Sequence, residues 1–170
     1  YLEDERGPRP QDPPFLAELA HYEWVELDLA LQDRPDSPHV DPEGDLLEGT
    51  PVLSPLARVL TYAFPVHRIG PDYRPGEVPD EPTRLVVYRD PRDDVGFLAV
   101  NAVTHRLLAD LGGAEGASGR TVLEAIARDL GAPDPATVLG FGGDILADLR
   151  SRDILIGTRL KPNGIKGVDA

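Results

Sequence analysis

The side chains able to carry reactions are few and scattered along this chain. Four histidines, His21, His39, His67 and His105, lie far apart, without the short paired spacings by which a helix or turn offers two imidazoles to one metal. Each reads as a surface or packing residue. His21 and Glu23, within His21-Tyr22-Glu23-Trp24, match the opening of a metal-deaminase signature, but that site also needs cysteines, and the chain has none. The same absence removes a disulfide framework, a thiolate metal site and a cysteine nucleophile. Ser37, Ser54, Ser118 and Ser151 sit in proline-rich, glycine-rich or helix-end contexts, and no Gly-x-Ser-x-Gly turn lifts a hydroxyl into a reactive position. The pairs Gly112-Gly113 and Gly142-Gly143 lack the lysine and the strand-turn-helix setting of a phosphate loop or a dinucleotide fingerprint. No enzymatic constellation emerges, so a non-catalytic role with no cofactor in this chain is expected.

Composition narrows the alternatives. A chain of 170 residues can bury a real core in one or two domains. Residues 1–52 carry 14 acidic and 3 basic side chains, and residues 53–170 carry 16 and 14, so the net charge of −13 is mostly an N-terminal property. A protein that binds phosphate backbones needs a basic face to release counterions, which argues against nucleic acid as a ligand. No apolar run approaches the ~18 residues of a membrane span, and no secretion signal opens the chain. A cytoplasmic protein without membrane association is expected. Because the chain starts at Tyr1 and contains no methionine, it is expected to be the C-terminal part of a longer protein.

The elements follow from periodicity. Residues 1–14, with Pro8, Pro10, Pro13 and Pro14, read as a linker or arm. Leu16, Leu19, Ala20, Trp24, Leu27 and Leu31 then fall at helical spacing, predicting a helix over 14–32 capped by Asp12. Prolines and glycines make 33–55 an irregular strap or a link between two units. Residues 56–69 predict an edge strand, or two short ones, interrupted by Pro65. Strands at 84–89 and 95–100 are joined by Asp90-Pro91-Arg92-Asp93-Asp94, which is turn chemistry, so the pair predicts a hairpin.

Asn101 stands where a helix cap belongs, and Val103, Leu107, Leu108 and Leu111 follow on one face. A second helix is expected to open at Thr121 with a capping-box glutamate at Glu124. A third begins at Asp134 and carries Val138, Leu139, Phe141, Ile145, Leu146 and Leu149, with Gly140, Gly142 and Gly143 making it irregular or pressing it closely against a neighbour. Ile154-Leu155-Ile156 predicts a short terminal strand, and 161–170 a disordered tail.

The expected fold is therefore α+β: an N-terminal helix and long loops, then a winged-helix-like unit of a small antiparallel sheet and three helices. The domain boundaries are placed at 1–55, 56–160 and 161–170. Winged-helix proteins usually bind DNA through the third helix, and a transcription-related DNA binder is the alternative reading. Here that helix would display Asp144 and Asp148 against Arg150 near its end, an unfavourable arrangement for phosphates. The hairpin edge offers another mode, because an open strand at 95–100 can accept a guest peptide through its backbone. That edge is equally able to be covered from within.

Three stretches resemble the PqqD-like peptide-recognition domain: Phe97-Leu98-Ala99-Val100-Asn101-Ala102-Val103-Thr104-His105-Arg106-Leu107-Leu108, Thr121-Val122-Leu123-Glu124-Ala125-Ile126, and Ile145-Leu146-Ala147-Asp148-Leu149-Arg150-Ser151-Arg152-Asp153-Ile154-Leu155. Upstream, Phe15-Leu16-Ala17-Glu18-Leu19-Ala20-His21-Tyr22-Glu23-Trp24-Val25-Glu26-Leu27, Gly44-Asp45-Leu46-Leu47-Glu48-Gly49, Pro65-Val66-His67-Arg68-Ile69 and Leu85-Val86-Val87-Tyr88-Arg89 resemble the HvfC family, also described as DNA-binding proteins. The resemblance spans about 14–157.

It implies a non-catalytic partner that forms a heterodimer with a multinuclear non-haem iron oxidative enzyme, the iron residing in that enzyme. The enzyme would modify cysteines of a ribosomally made precursor peptide, and this chain would help to hold the peptide. By the same resemblance the peptide would lie against Val95, Phe97, Leu98 and Ala99 and against Ile145, Asp148, Leu149 and Arg152 of the third helix. His21 and Trp24 would face a further domain or the enzyme, although an aromatic at helical spacing also fits an ordinary core anchor.

Overall fold

The computed structural model describes residues 12–37, 39–113, 116–132 and 134–160. Most of the arm expected over 1–14, and the whole tail expected over 161–170, lie outside them. In chain order the elements are α1 (Leu16–Leu31), β1 (Val40–Asp41), β2 (Pro51–Leu53), β3 (Ala57–Tyr62), a single 3-10 turn (Val66–Arg68), β4 (Thr83–Arg89), β5 (Val95–Ala99), α2 (Ala102–Gly113), α3 (Gly119–Asp129), α4 (Pro135–Ser151) and β6 (Leu155–Arg159). The class is α+β, with a helix first, then two three-stranded antiparallel sheets and three more helices.

Strand β4 divides the interior. It is the middle strand of the sheet β3-β4-β5, and it is buried on both faces because its side chains alternate between two cores. Val86 and Tyr88 join Leu107, Leu108, Leu123, Ile126, Leu146 and Leu149 of the three later helices. Leu85 and Val87 join Phe15, Tyr22, Val25, Leu29, Tyr62 and Phe64 on the opposite face, beneath α1. Helix α1 is therefore a cover for the sheet's second face.

The rotation of α1 corrects the sequence expectation. Tyr22, Val25 and Leu29 form the buried face, whereas Trp24, Leu27 and Leu31 are exposed. Both sets have helical spacing, so periodicity alone could not decide between them. Phe15 occupies the N-cap position of α1, and its side chain makes no capping hydrogen bond. Glu18, in the first turn, accepts the backbone N–H groups of Ala63 and Phe64 at 3.0 and 2.9 Å, pinning the end of β3 to the helix. At the other end Arg89, buried on β4, donates to the carbonyls of Leu29 and Gln32 at 3.1 and 2.6 Å, satisfying groups that the helix leaves unpaired.

The stretch 33–55 is more than a strap. It contains β1 and β2, which flank β6 in the order β1-β6-β2. Val52 opposes Gly157, and Val40 opposes Arg159. Gly157 has φ of +136°, a conformation open to glycine, and a Cβ there would collide with the Asp41 carbonyl. Leu46, also upstream of position 55, packs in the core of the later helices.

Of the later helices, α2 begins as expected, with the Asn101 side chain accepting from the Thr104 N–H at 2.8 Å. Its buried face uses Thr104 where the pattern suggested Val103. The cap of α3 is Ser118, which accepts from the Thr121 N–H, so the helix starts ahead of the expected Thr121. Helix α4 runs unbroken through its glycines from an Asp134 cap, and Phe141 points outward. Gly142 allows this packing, since a Cβ there would strike the Leu123 side chain.

Candidate functional site: the outer edge of strand β5

The hairpin β4-β5 has a fixed register, Val86 opposite Leu98 and Val87 opposite Phe97. The Val100 N–H donates to the Arg84 carbonyl at 3.0 Å, which sets the alternation of the antiparallel ladder. Gly96, Leu98 and Val100 direct their backbone groups to β4, and Val95, Phe97 and Ala99 direct theirs away from it. Since β5 is the terminal strand of its sheet, those outward N–H and C=O groups form an open edge among the described residues.

The side chains beside that edge fall on two faces. Val95, Phe97 and Ala99 lie on the α1 side of the sheet. Val95 is half-buried against the α1 core, and Ala99 is exposed. Phe97 is 45% exposed and its ring centre lies 5.1 Å from that of His67. Burial, and then the neighbouring Arg68, hold the His67 imidazole below its ordinary pKa, so this aromatic shelf is uncharged at neutral pH. His67 Nδ1 is buried without a hydrogen-bond partner among the described residues.

On the helix side, Leu98 packs against the core, but a Cβ at Gly96 would meet nothing within 4 Å. Gly96 stands opposite Tyr88, whose side chain interacts with Arg152 at the end of α4. A bare notch therefore adjoins the edge where α4 approaches the sheet.

The α4 residues assigned from the sequence divide three ways. Asp148 is exposed and pairs with Arg152 at 3.0 Å, an interaction that, with Tyr88, raises the Arg152 pKa. Ile145 is half-buried on the core. Leu149 is 1% exposed, so it supports α4 from inside and has no surface to offer a guest. His21 and Trp24 are both exposed on α1, their ring centres 6.0 Å apart, which overturns the core-anchor reading of Trp24. His21 Nδ1 shares a 2.9 Å hydrogen bond with the Tyr62 hydroxyl. Burial, reinforced by the charges of Glu18 and Glu26, pushes the Tyr62 pKa up to about 12.

Sequence reasoning missed His67 and Gly96. Nothing in the local pattern tied His67 to Phe97. A glycine inside a strand pattern, however, is itself a signal that something is to approach the backbone closely. Elsewhere, a cavity of about 360 Å³ is lined by Arg34, Ser37, Ser54 and Ile156, beside the other sheet. Among the described residues no cluster of His, Asp and Glu side chains is placed to hold a metal, and no helix is long and apolar enough to cross a membrane.

The model of the HvfC C-terminal domain matches residues 54–150, more than half of the chain. The chain belongs to the HvfC family. The match takes in β3, β4, β5, α2, α3 and nearly all of α4, so the hairpin edge and the helices behind it are the HvfC part of the molecule. Helix α1 and the sheet β1-β6-β2 lie outside the matched span, which is shorter than the 14–157 of the sequence resemblance. No curated protein matches the chain. Membership of the HvfC family points to an accessory protein.

Proposed function

We propose that this chain is the non-catalytic partner of a multinuclear non-haem iron oxidative enzyme and holds a ribosomally made precursor peptide for modification. The peptide adds to β5 as a further antiparallel or parallel strand, its backbone pairing with Val95, Phe97 and Ala99. The observation that carries this reading is the open edge, flanked by an exposed Phe97 and by the vacancy over Gly96. Strand addition suits such a site because the backbone supplies affinity and the alternating side chains supply selectivity. On one face a guest side chain rests on Phe97 and His67; on the other it enters the notch beside Tyr88, Asp148 and Arg152. In this PqqD-like mode the iron belongs to the enzyme, which contacts the chain through the His21 and Trp24 side of α1.

The test uses a synthetic cysteine-bearing precursor peptide, with affinity measured by calorimetry. Phe97→Pro removes an outward N–H without removing a ladder bond, and proline is tolerated on such an edge. Gly96→Val fills the notch with a residue that favours strands. Each is expected to weaken binding at least about tenfold, the equivalent of ~1.4 kcal/mol, with melting temperature held near that of the parent. Parent-like affinity in both folded variants would remove β5 as the docking edge. The DNA-binding alternative instead requires affinity for duplex DNA that falls steeply with salt.

A further inference from the structure

The exposed face of α1 has a stricter pattern than an accidental patch. Ala17, Ala20, Trp24, Leu27 and Leu31 repeat at alternating spacings of three and four, which is the seam of a helix that packs against another helix. The buried face, Tyr22, Val25 and Leu29, falls on the opposite side of the same heptad, so the helix carries two apolar stripes and the fold uses one. Trp24, Leu27 and Leu31 are 58%, 57% and 76% exposed. Together they line the C-terminal half of α1.

The flanks of the seam say what kind of helix fits. In heptad terms Glu23 lies on one flank and His21 and Asp28 on the other. Asp28 is already held by Gln32 at 2.6 Å and by Arg58 at 3.5 Å, whereas Glu23 is exposed and has no charged partner among the described residues. A second copy packed in parallel would set Glu23 beside Asp28, and an antiparallel copy centred on Glu23 would set that carboxylate beside its own counterpart. Both arrangements oppose like charges. A helix with basic flanks removes that conflict, and α1 itself, which carries Glu18, Glu23, Glu26 and Asp28 and no lysine or arginine, presents it with an attractive potential.

We infer that the outer seam of α1 is the docking site for one amphipathic α-helix of a partner protein, with apolar residues at heptad spacing and lysine or arginine on its flanks. This refines the enzyme-facing assignment of His21 and Trp24 and rests on that part of the proposed function; it does not involve β5.

The chain's single tryptophan, Trp24, lies in the middle of the seam and reports its occupancy. The probe is a designed three-heptad peptide with Leu at the seam and Lys on both flanks, compared with the same peptide carrying Glu on the flanks. The Lys peptide is expected to move Trp24 emission to shorter wavelength, saturably, with at least tenfold higher affinity than the Glu peptide and with affinity that falls as salt rises. Leu27→Asp combined with Leu31→Asp, which keeps the reporter, should abolish the shift, and Glu23→Lys should reverse the preference between peptides. The inference is overturned by equal binding of the two peptides or by binding of neither. It is also overturned if protein concentration alone produces the shift, which would mean a second copy, or if phosphatidylcholine vesicles do so, which would mean a lipid surface. In the same samples, precursor binding by the Leu27→Asp, Leu31→Asp variant reads the β5 site separately, so loss at one site is distinguished from loss at the other.

Discussion

Gly140 and Gly142 differ by two positions in the same helix, yet their surroundings are opposite. A Cβ at Gly140 would point into open space, and a Cβ at Gly142 would strike Leu123. In an exposed helical position alanine is the better helix former by about 1 kcal/mol, because glycine loses more backbone freedom on folding. Gly140→Ala is therefore expected to stabilise the protein by ~0.5–1 kcal/mol in urea unfolding. Gly142→Ala should instead destabilise it by ~1–3 kcal/mol, the range for overpacking a filled core. Equal effects would mean that α4 and α3 do not meet at Leu123. At this scale the sequence was partly legible: the glycines marked a close approach, but neither the partner nor which glycine met it could be read without the packing. Trp24 marks the opposite failure. Its type favours burial, and only the rotation of α1 about its axis, set by Tyr22, Val25 and Leu29, places it outside.

Among the elements, those built from local signals were the most readable. The hairpin of β4 and β5 followed from turn chemistry, and α2 from the Asn101 cap, because both are decided within a few residues. The strands β1 and β2 were not readable, since each is only two or three residues long and gains its partner from β6 at the far end of the chain. The joint between α1 and β4 was hidden for the same reason. Arg89 reads as a polar strand end, yet its guanidinium is buried under the last turn of α1 and donates to Leu29 and Gln32. Removing it leaves those carbonyls without a donor in a dry place, where charged hydrogen bonds are worth ~1.5–3 kcal/mol. Arg89→Leu is expected to cost ~3 kcal/mol by urea unfolding and to raise hydrogen exchange first in the final turn of α1. Unchanged protection there would mean that the helix end does not depend on this side chain.

For the molecule as a whole, two cores share one sheet, and two half-buried imidazoles, His67 and His105, flank it. His67 lies at the rim of the core under α1, and His105 lies on α2, bonded to the Thr61 hydroxyl at 3.0 Å. Burial holds both pKa values below 6.5, with added repulsion from Arg68 at His67 and from Arg84 at His105. Since the folded values are the lower ones, the unfolded chain binds more protons as pH falls below 6.5, and protonation favours unfolding. Stability from these two groups is therefore fully present above their unfolded pKa and is lost as pH falls through the folded values. The melting temperature should decline between pH 7 and pH 5. Replacing both rings, His67→Gln with His105→Gln, should flatten that decline relative to the parent even if the neutral-pH melting temperature drops. An unchanged slope would assign the acid sensitivity to other groups. The same window bears on the proposed docking edge, because His67 borders Phe97 at 5.1 Å. A charged ring beside an apolar guest side chain would weaken strand addition at acidic pH, and His67→Gln should remove that part of the pH dependence of peptide affinity while leaving the Phe97→Pro effect intact.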